Sequence, residues 1–165
     1  MARDEAKNAP LTLPPRTRVG LIVSTYHRHV TGGMADSARA TLAAAGLDLE
    51  ADLMAFDAPG AYEIPLLAMA LAERKDIDAV LGFGLILKGE TEHDRHIAGA
   101  VAQGLMDVGL KTVKPVLFGV LTCNTLEQAE RRARTRDEGG LDKGHEVAKA
   151  AIETLITLRR IAATS

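Results

Sequence analysis

The chain has 165 residues, of which 47% are hydrophobic and 25% are charged, values typical of one globular domain with its own apolar core. Its formal net charge of -2 offers no basic surface of the kind that binds nucleic acid. No apolar run reaches the roughly 18 residues that a membrane-spanning helix needs, and the first residues lack the apolar core of a signal peptide. We therefore expect a cytoplasmic protein without a nucleic-acid or membrane partner.

The N-terminal segment, residues 1–17, is polar and contains Pro10, Pro14 and Pro15. This composition predicts a flexible or extended arm ahead of the first core element. Residues 18–165 are predicted to form a single domain.

Four short apolar runs predict the strands of a parallel sheet. Each run is continuously apolar rather than alternating, as expected of strands covered on both faces. The runs occupy residues 19–23, 52–56, 79–84 and 115–121. Helical spacing of apolar residues is found between and after them, at 30–45, 61–73, 92–108, 126–134 and 141–161.

This order of elements predicts an α/β fold, a flavodoxin-like three-layer sandwich in which a four-stranded parallel sheet is flanked by helices. With right-handed crossovers the sheet is open and doubly wound, and its ligand site lies beyond the carboxyl ends of the strands. The residues that follow each predicted strand are therefore the first candidates for function.

The five aromatic side chains fall near predicted strand ends. For Phe56 and Phe83 we favour burial, because strand ends often carry large apolar residues. Tyr62 closely follows the second strand. For Tyr26 and Phe118, which lie close to loops, we favour a face on which a flat heterocyclic substrate could stack.

The segment GLILKGETEH, residues 84–93, is the strongest single indication of chemistry. Its apolar run breaks into a turn at residues 88–91, and a helix predicted to begin near Thr91 would direct free backbone N–H groups at an anion such as phosphate. His93 would lie in the first helical turn beside that anion. Histidine titrates near neutral pH, so His93 is a candidate proton carrier.

The segment GAYEIP, residues 60–65, allows two interpretations. Glu63 could be a carboxylate that stabilises the positive end of the helix that starts here. Alternatively, the loop backbone and this carboxylate could recognise hydrogen-bond donors on a polar ring. Composition does not separate the two.

The segment from Phe118 to Ala133 carries a second helix start, at which Thr125 is predicted to form a cap with Gln128 three residues on. Arg131 and Arg132 then lie on this helix. Arginines in such a place are usually solvated. An arginine that faces the ligand edge would instead supply a forked donor for phosphate.

Two pairs of histidines, His93 with His96 and His27 with His29, have spacings that could share a metal ion. Neither pair has a third ligand or a supporting shell in the sequence, so we expect no metal. His29 and His145 are expected to be exposed and without a special role.

The single cysteine, Cys123, excludes an internal disulfide, and its apolar neighbours predict a buried, inert thiol. The chain has no G-x-S-x-G nucleophile elbow, no GxxxxGK[ST] phosphate loop and no G-x-G-x-x-G fingerprint. These absences argue against esterase, nucleotidase and dehydrogenase functions.

Taken together, GAYEIP, GLILKGETEH and PVLFGVLTCNTLEQAERRA, in this order and spacing, closely resemble the 6,7-dimethyl-8-ribityllumazine synthases of riboflavin biosynthesis. The resemblance covers nearly everything from Val19 onward. It implies a transferase, without a cofactor, that condenses 5-amino-6-(D-ribitylamino)uracil with 3,4-dihydroxy-2-butanone 4-phosphate. The products are the lumazine, inorganic phosphate and water.

The resemblance also implies a role for each matching residue. His93 corresponds to the histidine that transfers protons, and Arg132 to the arginine that binds phosphate. Phe118 corresponds to an aromatic residue that reaches the site of the neighbouring subunit, so that two chains share each site. The other positions are Tyr26, which stacks on the pyrimidine; Ala61, Tyr62 and Glu63, which contact the ribityl-uracil; Leu85, Ile86 and Leu87, which line the ring; and Glu90 and Thr91 in the phosphate turn.

The chain departs from the family after the histidine, where Asp94, Arg95 and His96 replace the usual aromatic, acidic and aromatic residues. Asp94 pairs either with His93 or with Arg95, and the sequence leaves both open. A catalytically weakened paralogue that binds flavin or lumazine is therefore the alternative function.

Two features bear on assembly. The loop at residues 134–144 is longer than in relatives that build sixty-subunit shells, and this favours a homo-pentamer. The prolines of the arm also disfavour a long strand added to a neighbour's sheet.

Overall fold

The computed structural model describes residues 10–164, in which four strands form one parallel sheet in the order β2-β1-β3-β4. The strands are β1 (Val19–Ser24), β2 (Leu53–Ala58), β3 (Ala79–Leu87) and β4 (Val116–Cys123). In the register, Val23 lies opposite Phe83, and Leu87 lies opposite Cys123.

Helices cover both faces of this sheet. In the described residues they are α1 (Arg28–Ala44), α2 (Ile64–Ala72), α3 (His93–Thr112), α4 (Leu126–Ala133) and α5 (Lys143–Ala163), with a 3-10 turn (Ala61–Glu63) ahead of α2. Helices α1, α4 and α5 pack on one face, and α2 and α3 pack on the other. The predicted α/β sandwich with a four-stranded parallel sheet is confirmed.

Two apolar cores lie on either side of the sheet. Leu21 of β1 packs in one core with Met34 and Phe83, and the next residue, Ile22, packs in the other with Ile64. Successive side chains of a strand point to opposite faces, and both faces of β1 are covered, so all six of its residues are buried. This explains why the central strands read as continuous apolar runs.

Some element boundaries differ from the prediction. Strand β3 continues through Leu87, three residues past the predicted end, because its backbone still pairs with β4 there. Helix α3 begins at His93, one residue after the start of the predicted range 92–108, and continues to Thr112. Thr91 therefore lies in the turn before the helix.

The described part of the predicted N-terminal arm packs against its own domain. Leu13 is buried in the core, and its N–H donates to the carbonyl of Ala45 at 2.9 Å. Thr17 donates through Oγ1 to the carbonyl of Pro14 at 2.6 Å. Residues 1–9 of that segment lie outside the described residues, and the boundary at residue 17 stays a prediction.

The phenylalanine of a central strand and that of an edge strand differ in burial. Phe83 in β3 is fully buried, as predicted. The predicted burial of Phe56 is wrong, since 48% of it is exposed. β2 is an edge strand, and Ala55, Phe56 and Asp57 are all exposed along it.

No helix within residues 10–164 is both long and apolar enough to cross a membrane.

Candidate active site

The strand order places a crevice at the carboxyl ends of β1 and β3. From β1 the chain enters α1 on one face of the sheet, and from β3 it enters α3 on the other. Such a switch between neighbouring strands is where open α/β sheets bind ligands. The predicted ligand edge is therefore the point where the loops that follow β1 and β3 diverge.

The end of β3 offers free backbone at this crevice. The last pair between β1 and β3 is Val23 with Phe83, whereas β3 pairs with β4 as far as Leu87. Along residues 84–87 no described strand pairs with the side of β3 that faces β1. The side chains of Leu85 and Ile86 are buried, in the two opposite cores, so a ligand would meet their backbone rather than their side chains.

The GAYE segment lies directly over this strand end. A Cβ built on Gly84 would come within 3.2 Å of the Ala61 Cβ, so the 3-10 turn touches β3 at the glycine. Tyr62 is 63% exposed. The Glu63 Oε2 accepts a hydrogen bond from the Gly60 N–H at 3.0 Å, which supports the stabilising interpretation of this carboxylate.

The loop after β1 is bonded to the end of β2. The Thr25 N–H donates to the carbonyl of Ala58 at 2.8 Å, and the Arg28 guanidinium donates to Asp57 Oδ1 at 2.8 Å. This bond from Arg28 lowers the pKa of the Asp57 carboxyl and raises that of the guanidinium. His27 has a left-handed backbone, with φ 51°, and Tyr26 beside it is 54% exposed.

The turn after β3 is open by comparison. Residues 88–93 are exposed, and the Lys88 N–H donates to the carbonyl of Cys123 at 2.9 Å. The N-cap residue of α3, Glu92, forms no capping hydrogen bond through its side chain. The His93 N–H reaches Thr91 Oγ1 only at 3.4 Å, a long and weak bond. The helix end therefore has backbone donors available for an anion.

Arg132 lies at the same edge. The predicted cap of its helix is confirmed, since Thr125 Oγ1 accepts from the Gln128 N–H at 3.2 Å. The Arg132 guanidinium donates to the carbonyl of Gln128 at 3.2 Å and is exposed. Burial raises the pKa of the Cys123 thiol, and the charge of Arg132 acts against this rise, so Arg132 lies near the end of β4. The predicted burial of Cys123 is confirmed.

The model of the 6,7-dimethyl-8-ribityllumazine synthase family matches residues 16–159, nearly the whole chain. The chain belongs to this family.

Named relatives agree with the assignment to the lumazine synthases. The chain is 44% identical over 152 residues to 6,7-dimethyl-8-ribityllumazine synthase 1 of Caulobacter vibrioides, a match that covers 92% of this chain and 96% of the relative. It is 39% identical over 155 residues to the synthase of Thermus thermophilus, covering 93% of this chain and 95% of that one. The synthase of Streptomyces coelicolor is 41% identical over 144 residues, covering 87% and 86%.

Within this lumazine synthase fold, Phe118 lies away from the crevice of its own chain. It is the third residue of β4 and pairs with Gly82, five residues before Leu87. At about 3.3 Å per residue, Phe118 is roughly 16 Å from the strand ends. The hypothesis that Phe118 stacks on a substrate is therefore wrong for the crevice of its own chain, because Phe118 lies near the amino end of β4 and the crevice lies at the carboxyl ends.

Phe118 instead borders an apolar groove of about 420 Å³ between α3, β4 and α5. Large apolar side chains along this groove are exposed: 59% of Met106, 70% of Leu110, 71% of Val113 and 39% of Phe118. Exposed apolar surface of this kind is typical of interaction sites.

Asp94, one of the residues that depart from the usual family pattern, forms neither of the two pairs that the sequence left open. Asp94 is buried, and it forms no ion pair with His93, Arg95 or any other described residue. Arg95 pairs instead with Glu92 Oε1 at 3.4 Å.

Two histidines expected to have no special role have partners. The His29 Nε2 lies 3.1 Å from Glu130 Oε1, and the His145 Nδ1 lies 2.8 Å from Thr41 Oγ1. His145 is also half-buried rather than exposed. These contacts join residues more than a hundred positions apart, and no local pattern could have indicated them.

A cleft of about 1030 Å³ lies along α1 and α5 rather than at the strand ends. It is lined by polar and apolar residues of these two helices, of the loop at residues 135–142 and of the segment at residues 10–11. In residues 10–164 no three His, Cys, Asp or Glu side chains come together as metal ligands would.

Proposed function

We propose that this chain condenses 5-amino-6-(D-ribitylamino)uracil with 3,4-dihydroxy-2-butanone 4-phosphate to give 6,7-dimethyl-8-ribityllumazine, inorganic phosphate and water, without a cofactor. The observation that carries the proposal is the family match over residues 16–159. The fold supports it, because the loops within the matching segments follow β2, β3 and β4 at one edge of the sheet. A cytoplasmic location belongs to the same proposal.

The first half of the proposed site receives the pyrimidine. Tyr26 supplies an exposed aromatic face on which the ring stacks. The unpaired backbone along Leu85, Ile86 and Leu87 lines the ring and supplies the alternating N–H and C=O groups that a uracil can match. Ala61, Tyr62 and Glu63 contact the ribityl-uracil from the 3-10 turn above the strand.

The second half receives the phosphate. Glu90 and Thr91 lie in the exposed turn ahead of α3, whose N-terminus favours a negative charge. Arg132 adds a forked cationic donor from α4, near the end of β4. An open turn with free donors suits an anion that enters and, as inorganic phosphate, leaves.

The chemistry then needs orientation and proton transfer. The 5-amino group attacks the ketone and forms an imine with loss of water, phosphate leaves by elimination, and the 6-ribitylamino nitrogen closes the ring with loss of a second water. His93, the first residue of α3, gives and takes protons in these steps. Holding the two reactants together can lower the barrier by about 7 to 11 kcal/mol.

The partner is a second copy of the chain. The apolar groove beside Phe118 would be covered by the adjacent subunit, and Phe118 would then reach the crevice of that neighbour. We propose a homo-pentamer, since the loop at residues 134–144 is long.

The activity is tested by mixing the purified protein with both substrates and following the absorbance of the lumazine, with the uncatalysed reaction as the reference. We expect a rate well above that reference. A yellow protein with no rate above it would instead identify a binding paralogue that has lost catalysis, and would contradict the proposed reaction.

The shared site is tested by complementation. Phe118→Ala and His93→Ala are purified separately, dissociated, mixed and reassembled. If each site takes Phe118 from one chain and His93 from the next, the mixture regains activity that neither variant has alone. The matched control mixes His93→Ala with the double variant Phe118→Ala/His93→Ala. It should stay inactive, because neither chain supplies His93. Light scattering gives the size, and a particle of capsid size would contradict the pentamer.

A further inference from the structure

A side-chain contact joins helix α1 to helix α4 beside the proposed site. The His29 Nε2–H donates to Glu130 Oε1 at 3.1 Å, across 101 positions of sequence. His29 is in the first turn of α1, three residues after Tyr26, and Glu130 is in α4, two residues before Arg132. The contact therefore bridges the loop that carries Tyr26 and the helix that carries Arg132.

Helix α4 has little apolar packing of its own to fix its orientation. It has eight residues, and its buried side chains are Ala129 and Ala133, with Leu126 half-buried. Alanine side chains bury little apolar area, so they resist rotation or sliding of a helix weakly. A short helix with such a face depends on polar contacts for its position.

The other polar contacts of α4 lie at its two ends. Thr125 caps the first turn, and the Leu141 N–H donates to the carbonyl of Arg131 at 3.0 Å near the last turn. Arg134 also reaches Glu130, at 3.8 Å, but it lies on the same stretch of chain and ties the helix to nothing else. The bond from His29 is the side-chain link between the middle of α4 and α1.

The helical geometry connects this link to Arg132. Two residues along an α-helix correspond to a rotation of about 200°, so Glu130 and Arg132 project to nearly opposite sides. Holding Glu130 against α1 therefore directs Arg132 away from α1. The charge of Arg132 acts on the Cys123 thiol, which places Arg132 near the end of β4.

We propose that His29 and Glu130 are positioning residues that orient Arg132 for phosphate. This inference rests on the proposed role of Arg132 in the site. It predicts a change in phosphate affinity opposite to the change that electrostatic repulsion alone would predict. Removing the negative charge of Glu130 from the vicinity of a bound anion should strengthen phosphate binding if charge alone matters, whereas loss of the link should weaken it.

The test is the affinity of the full chain for inorganic phosphate, measured by calorimetry. We expect Glu130→Ala and His29→Ala to weaken binding by up to about five-fold, the scale of a partly exposed contact between side chains. His29→Gln keeps an N–H donor at a similar reach and should bind phosphate like the unchanged protein. Glu153→Gln, which removes a carboxylate paired with Lys149 on α5, is the control for loss of an exposed acid and should have no effect.

Steady-state kinetics give a second measurement. The same two alanine variants should raise KM for the butanone phosphate and leave KM for the pyrimidine nearly unchanged. General destabilisation of the fold would not divide the two substrates in this way. Circular dichroism confirms that each variant is folded.

The outcomes separate this inference from the proposed function. If Arg132→Ala binds phosphate as the unchanged protein does, the assignment of Arg132 fails and the positioning pair fails with it. If Arg132→Ala loses phosphate but Glu130→Ala binds it equally or more tightly, the positioning pair alone is refuted. Equal weakening in His29→Ala and His29→Gln would also refute it, because the hydrogen bond would then be irrelevant.

Discussion

The turns after β1 and β2 are joined to each other by hydrogen bonds, whereas the turn after β3 is exposed and held by few contacts. Thr25 Oγ1 of the first turn donates to the carbonyl of Pro59 in the second at 3.3 Å, Arg28 bonds Asp57 near the end of β2, and Glu63 bonds the backbone at Gly60. Across the crevice, Thr91 contacts the N–H of His93 only at 3.4 Å. The difference matches the proposed ligands: a flat ring is best met by a surface already in place, while an anion needs donors that are not already used.

The largest effect is expected in the proposed phosphate site, beside the exposed turn after β3. Arg132→Ala should lower kcat/KM by about 100-fold or more, at least as much as His93→Ala, because a misplaced phosphate misplaces both reacting centres. Arg131→Ala removes the same charge from the neighbouring position and is the matched control, expected to stay near full activity. The measurement is the lumazine absorbance with each substrate varied. Full activity without Arg132 would remove it from the site.

A smaller effect is expected where the 3-10 turn meets β3. Gly84→Ala would bring a Cβ within 3.0 Å of Ile64 Cδ1 and 3.2 Å of the Ala61 Cβ, so the turn must shift. We expect a loss of about 1–3 kcal/mol in the free energy of unfolding, typical of overpacking, and a higher KM for the pyrimidine.

Gly99→Ala is the control for this substitution. Gly99 lies in α3 with nothing within 4 Å of a built Cβ, and there alanine should stabilise the helix by about 0.5–1 kcal/mol. Urea unfolding of both variants makes the comparison. Equal free energies of unfolding for the two variants would show that the close contact between Gly84 and the 3-10 turn does not matter for stability.

The smallest effect is expected in the loop after β1, where the bond between Arg28 and Asp57 should make the stability of the fold depend on pH. The bond from Arg28 lowers the pKa of Asp57 in the folded chain. A lowered pKa means that the contribution to stability is present above the ordinary aspartate range, near pH 4, and is lost as pH falls through the folded value. Asp57→Asn should therefore reduce the urea midpoint at neutral pH and make little difference in strong acid. In an Arg28→Gln background this pH-dependent difference should vanish.

Local sequence determined much of this protein. The continuous apolar runs of the central strands required burial on both faces, which fixed an α/β sandwich, and Thr125 with Gln128 marked the start of α4 from their own chemistry. The spacing of GAYEIP, GLILKGETEH and the arginine segment indicated the family, and the family match confirms it. These features depend on neighbours in the chain, and therefore a sequence can reveal them.

Only the tertiary structure decided the rest. Phe56 is exposed because its strand is an edge, and Phe118 lies far from the crevice because of where β4 begins in the register. The free backbone of β3 exists because β1 ends earlier, and His29 meets Glu130 because α1 and α4 pack on the same face. Each of these depends on which distant segments become neighbours, and the spacing of residues along a chain does not contain that information.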